Sequence, residues 1–112
     1  MRMKFRNALV LVSVLSASAA AFAVDAAAAK ALATKNACLT CHSADKKIVG
    51  PAYKDVVAKH KGEADALVKV AARIKSGGSG TYGPVPMPPQ PNLKDDELKT
   101  LAEWVLAGAP DK

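Results

Sequence analysis

The sequence predicts an all-α domain, and three observations carry that expectation. No segment alternates apolar and polar residues at the period of two that a half-buried strand needs. Two stretches, within residues 63–75 and 98–106, instead repeat apolar residues at the three- and four-residue spacing of a helix face. The glycines and prolines gather between such stretches, above all from Gly77 to Pro91.

Residues 1–23 read as a removable leader. Arg2, Lys4 and Arg6 form a basic start without acids, residues 8–15 are apolar, and small residues lead to Ala21-Phe22-Ala23. Cleavage is expected after Ala23, with Ala17-Ser18-Ala19 as a weaker site. The uncharged run over residues 7–24 is at the lower limit for a membrane span and its second half is small residues. An export signal therefore outweighs an uncleaved anchor, and no span is expected after cleavage. The folded domain is expected over residues 24–112.

Residues 25–36 are alanine-rich and helical by propensity. Residues 38–50 read as a loop, closed by Gly50-Pro51. Residues 52–59 suit a short helix that ends near Lys61-Gly62. Over 63–75, Leu67, Val70, Ala71 and Ile74 share one helix face. Residues 78–91, rich in glycine and proline, predict an irregular but locally stiff segment. The last helix carries Leu98, Leu101, Ala102, Val105 and Leu106, with Trp104 at the edge of the stripe and Gly108 and Pro110 beyond its end. Asn92 is its expected N-cap, with Asp95 at the third helical position. Four to five short helices result.

Such a domain is short of core. With the leader removed, Tyr53, Tyr82 and Trp104 are the only aromatic residues, and much of the apolar content is alanine, which buries little area. The formal charge of +6 would ordinarily suggest an anionic partner such as nucleic acid. Half of it leaves with the leader, so nucleic acid is not needed to explain it.

The chemistry is concentrated in Cys38-Leu39-Thr40-Cys41-His42. Both cysteines of the chain and one of its two histidines fall in one C-x-x-C-H, the attachment pattern of c-type haem. Two thiols add across the haem vinyl groups, and the adjacent histidine is placed to ligate the iron. A thioredoxin-like dithiol should sit in a βαβ pattern, which is missing. A closed zinc site cannot be assembled from Cys and His alone, since only His60 is left to add. Met87, the single methionine after the leader, is fenced by prolines in Pro84-Val85-Pro86-Met87-Pro88-Pro89. Methionine is commonly a flexible gap-filler, but this stiff setting suits a sulfur that must meet an iron at a fixed position. His60 reads as a surface or partly buried histidine at a helix end.

These residues resemble a small bacterial class I cytochrome c of the cytochrome c-551 and c-552 type. The resemblance covers nearly all of residues 24–112. It rests on Cys38–His42, Val49-Gly50-Pro51-Ala52-Tyr53, Arg73-Ile74-Lys75, Gly83-Pro84-Val85-Pro86-Met87-Pro88-Pro89 and Trp104-Val105-Leu106. It implies the class I cytochrome c fold, helices wrapped around one covalently bound haem c, with His42 and Met87 as axial ligands of the iron. It further implies that the Pro51 carbonyl accepts the Nδ1–H of His42, that Arg73 and Tyr82 contact a haem propionate, and that Gln90 bonds near the Met87 sulfur. An additional residue between Pro89 and Asp95 leaves Asn92 as an alternative for that last role. Two positions depart from the family pattern: Tyr82 stands where tryptophan is common, and His60 where an aromatic residue is usual.

The resemblance implies a monomeric periplasmic electron carrier rather than an enzyme. Its partners would be periplasmic or membrane redox proteins: a cytochrome bc1-type donor, and a nitrite reductase, terminal oxidase or cytochrome c peroxidase as acceptor. Leu39, Val49 and Val85 would form an apolar docking patch at the haem edge. Lys35, Lys46, Lys47 and Lys54 would either rim it or be plain solvated surface. A haem peroxidase or gas sensor, and a haem-free metal-binding or structural protein, are the competing classes.

Overall fold

The computed structural model describes residues 24–112; the leader expected over 1–23 lies outside the described residues. Five helices follow in order: α1 (Ala26–Lys35), α2 (Cys38–Cys41), α3 (Tyr53–Lys59), α4 (Ala66–Ser76) and α5 (Asp95–Leu106). Among the described residues there is no strand, only two isolated bridges, His42 with Lys47 and Gly78 with Met87. The all-α expectation matches.

Helix α1 starts where Asp25 accepts a hydrogen bond from the Ala28 N–H at 3.0 Å, a side-chain cap at the positive end of the helix. Ala26, Ala29 and Ala33 form its buried stripe, and such small side chains let α1 lie close against α5. Helix α5 is the centre of the packing, touching α1, α3 and α4. It buries Leu98, Leu101, Ala102, Trp104 and Val105, so the tryptophan lies inside the stripe rather than at its edge. The indole N–H donates to the Pro110 carbonyl at 2.9 Å, which ties the C-terminal segment back onto the core.

Three local expectations are corrected. Residues 38–50 do not begin as a loop: Cys38–Cys41 is one turn of helix, entered through Ala37 in the left-handed region at φ 59°. The remainder is a tight loop whose Val49 and Gly50 N–H groups both donate to the Cys41 carbonyl. Helix α4 starts at Ala66, not Glu63, because residues 60–65 form turns in which the Glu63 carboxylate reaches back to His60 and across to Lys69. Helix α5 is capped at Lys94, not Asn92. Leu93 is buried first, and the Glu97 carboxylate then accepts from the Lys94 N–H at 3.0 Å.

Candidate haem-binding site

A cleft of about 780 Å³ opens between the residues after α2, one face of α4 and the segment that follows α4. Cys38, Cys41, His42 and Met87 all line it. The same small core that the composition foretold leaves this volume unfilled by side chains.

The His42 wall is held by side-chain packing. The His42 Nδ1–H donates to the Pro51 carbonyl at 2.8 Å, and because a carbonyl only accepts, the proton is fixed on Nδ1 and the Nε2 lone pair is left available. The ring stacks on Tyr53 at 5.1 Å between centroids, and Tyr53 meets Trp104 edge-on at 5.6 Å. Gly50 makes this approach possible: a Cβ there would lie 2.8 Å from His42 Nδ1. Burial pushes the Cys38 thiol above its ordinary range. Cys38 and Cys41 are unbridged, one helical turn apart on the same short helix.

The Met87 wall is held by backbone. Gly78 and Met87 exchange two hydrogen bonds, Gly78 N–H to Met87 carbonyl at 3.0 Å and Met87 N–H to Gly78 carbonyl at 2.9 Å. The Gln90 N–H donates to the Lys75 carbonyl at 3.1 Å, pinning the segment to the end of α4. Gly77, at φ 63° and ψ −159°, occupies a region essentially reserved for glycine. A Cβ there would also run into the Met87 carbonyl and lie 2.8 Å from the Pro89 nitrogen.

Arg73 lines the cleft from α4, donating through Nη2 to the Thr81 hydroxyl at 2.7 Å. Tyr82 lines it as well, and its hydroxyl lies 2.5 Å from His60 Nε2. Burial, foremost, pushes the Tyr82 phenol up, and the Glu63 charge adds to this against the opposing Arg73. The cleft thus gathers Cys38, Cys41, His42, Pro51, Arg73, Tyr82 and Met87, while the Gln90 side chain stays off its wall. Asn92 is exposed and also outside it. Of the apolar patch, Val49 and Val85 are about half exposed at the rim, whereas Leu39 packs on the core. Ile48, beside Val49 in the chain, is also about half exposed, and an isolated isoleucine in a loop carries no spacing signal that would mark it in the sequence. Of the two expectations for His60, a surface or a partly buried histidine, the second holds: its side chain is 9% exposed and the residue lines the cleft.

The donor set fits a c-type haem. Two thiols stand on one turn of helix, and an imidazole with an available Nε2 lone pair, a thioether, an arginine and a phenol line the same cleft. No helix among the described residues is long and apolar enough to cross a membrane.

The comparisons with known proteins agree. The cytochrome c family profile matches residues 26–109. Over 70 residues the chain is 56% identical to cytochrome c-551 of Pseudomonas aeruginosa, covering 62% of this chain and 66% of that protein. Over 76 residues it is 51% identical to cytochrome c-552 of Hydrogenobacter thermophilus, covering 68% and 76%. The solved structure of Nitrosomonas europaea cytochrome c552 superposes with a TM-score of 0.68 at 46% identity, covering 70% of this chain and 98% of that one. A class 1 cytochrome of Sideroxydans lithotrophicus gives 0.68 at 36% identity, covering 79% and 100%. Proteins of this family carry covalently attached haem c, and Cys38 and Cys41 fit its C-x-x-C-H attachment motif. The chain belongs to the cytochrome c family.

Proposed function

We propose that this chain is an exported, periplasmic one-electron carrier, released from its leader near Ala23. The observation that carries the reading is that the His42 imidazole, its Nε2 lone pair left available, and the Met87 thioether line one cleft together with Cys38 and Cys41. Cys38 and Cys41 would hold the porphyrin through thioethers, and His42 Nε2 and Met87 Sδ would ligate its iron. The bound haem supplies one chemistry, a single-electron Fe(III)/Fe(II) cycle.

The protein's own part is to keep both ligands in place through that cycle. Pro51 fixes the His42 tautomer and ring plane, and a donated Nδ1–H makes the imidazole a stronger ligand. The Gly78 bridge fixes the backbone of Met87. With His42 and Met87 both supplied to the iron, no position would be left open for a substrate, which favours carrying electrons over catalysis.

Electrons leave at the rim where Val49 and Val85 are exposed. A small apolar patch suits a brief encounter, and the exposed Lys46, Lys47 and Lys54 near it steer acidic partners. A cytochrome bc1-type complex as donor, and a nitrite reductase, terminal oxidase or cytochrome c peroxidase as acceptor, are the proposed partners. The test is a spectroelectrochemical titration of the mature protein made with haem-attachment machinery. It should show one covalent haem per chain, low-spin in both oxidation states, titrating with a single electron. A high-spin ferric form, or no covalent haem, contradicts the reading.

A further inference from the structure

The two positions that depart from the family pattern, 60 and 82, are the two ends of one hydrogen bond. His60 Nε2 lies 2.5 Å from the Tyr82 hydroxyl, the ring centroids are 6.1 Å apart, and both residues line the cleft. His60 is fixed from its own side first. It caps the end of α3, its N–H donating to the Val56 carbonyl and its carbonyl accepting from the Glu63 N–H. The Glu63 carboxylate accepts from the ring Nδ1–H at 3.0 Å and is itself held by Lys69 at 3.0 Å. Nε2 is thereby left to accept from the Tyr82 O–H. The His60 side chain is 9% exposed, so little water competes for the bond.

What the bond joins matters more than its strength. Helix α3 begins at Tyr53, the residue on which the His42 ring stacks, and it packs on α5. Tyr82 belongs to the segment that carries Met87. Among the described residues, the other hydrogen bonds of residues 77–89 run to α4 or stay within the segment: Gly77 and Thr81 bond to Arg73, Gly78 to Met87, and Gly80 to Gly83. The Gln90 N–H returns to α4 as well, at Lys75. Without the His60 bond the segment would be a flap hinged on the end of α4. The bond fastens it to the body that holds His42. A stiff path leads from there to Met87. The Gly80 N–H closes the turn around Tyr82 on the Gly83 carbonyl at 2.8 Å, and two of the three residues between Gly83 and Met87 are prolines of fixed φ.

We infer that His60 is a positioning residue for Met87: acting through the Tyr82 hydroxyl, it holds the segment shut, so that small ligands from solution compete poorly with the thioether for the iron. This rests on the haem reading above. A ligand such as imidazole takes the place of the sulfur only when the segment opens, and each tie that must break on opening lowers the open fraction. The bond therefore bears on specificity. It keeps the site of an electron carrier from serving as a binding site for small ligands.

The experiment uses the mature ferric holoprotein near neutral pH, titrated with imidazole while the far-red sulfur–iron band is followed. The parent, His60→Phe, Tyr82→Phe and the double variant are compared. Without imidazole all four should keep the band. Each single variant should lose it at about threefold to tenfold less imidazole than the parent, the change in an equilibrium constant that one ordinary hydrogen bond makes. The double variant should do no worse than the weaker single one, because both remove the same bond. Tyr82→Phe deletes one oxygen and serves alone if His60→Phe does not fold. In it the Met87 N–H should exchange with solvent about threefold to tenfold faster, while the Leu101 N–H in the core of α5 keeps its rate. Unchanged imidazole affinity in Tyr82→Phe, additive effects in the double variant, or a Leu101 amide that speeds up as much as that of Met87 overturns the inference. A parent that shows the band, with no difference among the variants, sinks the positioning role alone, whereas a parent without the band sinks the haem reading beneath it.

Discussion

On one side of the cleft His42 stands on packed core. Its ring rests on Tyr53, Tyr53 on Trp104, and Trp104 is 2% exposed at the centre of α5, where α1, α3 and α4 converge. On the other side Met87 stands on a segment without a helix, fixed by two hydrogen bonds to Gly78 and by the Gln90 tie to Lys75. The first wall is held by burial of large side chains, the second by backbone bonds and proline stiffness. The difference teaches where each ligand is vulnerable. The histidine is lost only with the domain itself, while the methionine can leave with every helix intact. A segment tied by few contacts opens at lower free energy than the core behind it.

The largest effect expected is on the His42 wall. Trp104→Ala removes the indole on which Tyr53 rests and should cost about 3–5 kcal/mol by chemical denaturation, enough to unfold much of so small a domain. A loss below about 1 kcal/mol would show that the haem, not this aromatic stack, carries the core. Gly77→Ala attacks the other wall. It forces a side chain into a glycine-only region and against the Met87 carbonyl, at a cost of about 1–3 kcal/mol. Its signature should be spectroscopic: weakened sulfur–iron ligation in the ferric protein while far-ultraviolet helicity is unchanged. Loss of helicity in step with ligation would erase the distinction between the walls.

The smallest effect is electrostatic. Glu63 titrates below its ordinary value of 4.5 when folded, because of His60 first and Lys69 second. A lowered folded value means a contribution to stability that is present above about pH 4.5 and lost as pH falls through the folded value. Glu63→Gln should therefore be slightly less stable than the parent near neutral pH, with the gap closing in acid, as melting temperatures against pH would show. The carboxylate is exposed to solvent, so the gap is small. A gap that widens in acid contradicts the assignment.

The helices were legible because their faces repeat within a few residues, as at Val70 and Ile74 or Leu98, Leu101 and Val105. The C-x-x-C-H was legible for the same reason: all its chemistry lies within one turn of chain. What was missed joins distant segments. Nothing in the sequence marks that Gly78 pairs with Met87, or that His60 meets Tyr82 22 residues away. The misplaced cap of α5 has a related cause. Asn92 is a good capping residue by type, but Leu93 enters the core first and so delays the helix to Lys94. Local propensity gave way to a tertiary demand.

The central claim is that His42 and Met87 face each other as the two ligands of one covalent haem. The most direct measurement is the visible and far-red absorption of the ferric holoprotein, compared with Met87→Ala and His60→Ala. The parent should be low-spin with the weak far-red band of sulfur–iron ligation, Met87→Ala should lose that band, and His60→Ala should keep it. A band that survives Met87→Ala, or disappears with His60, would contradict the account.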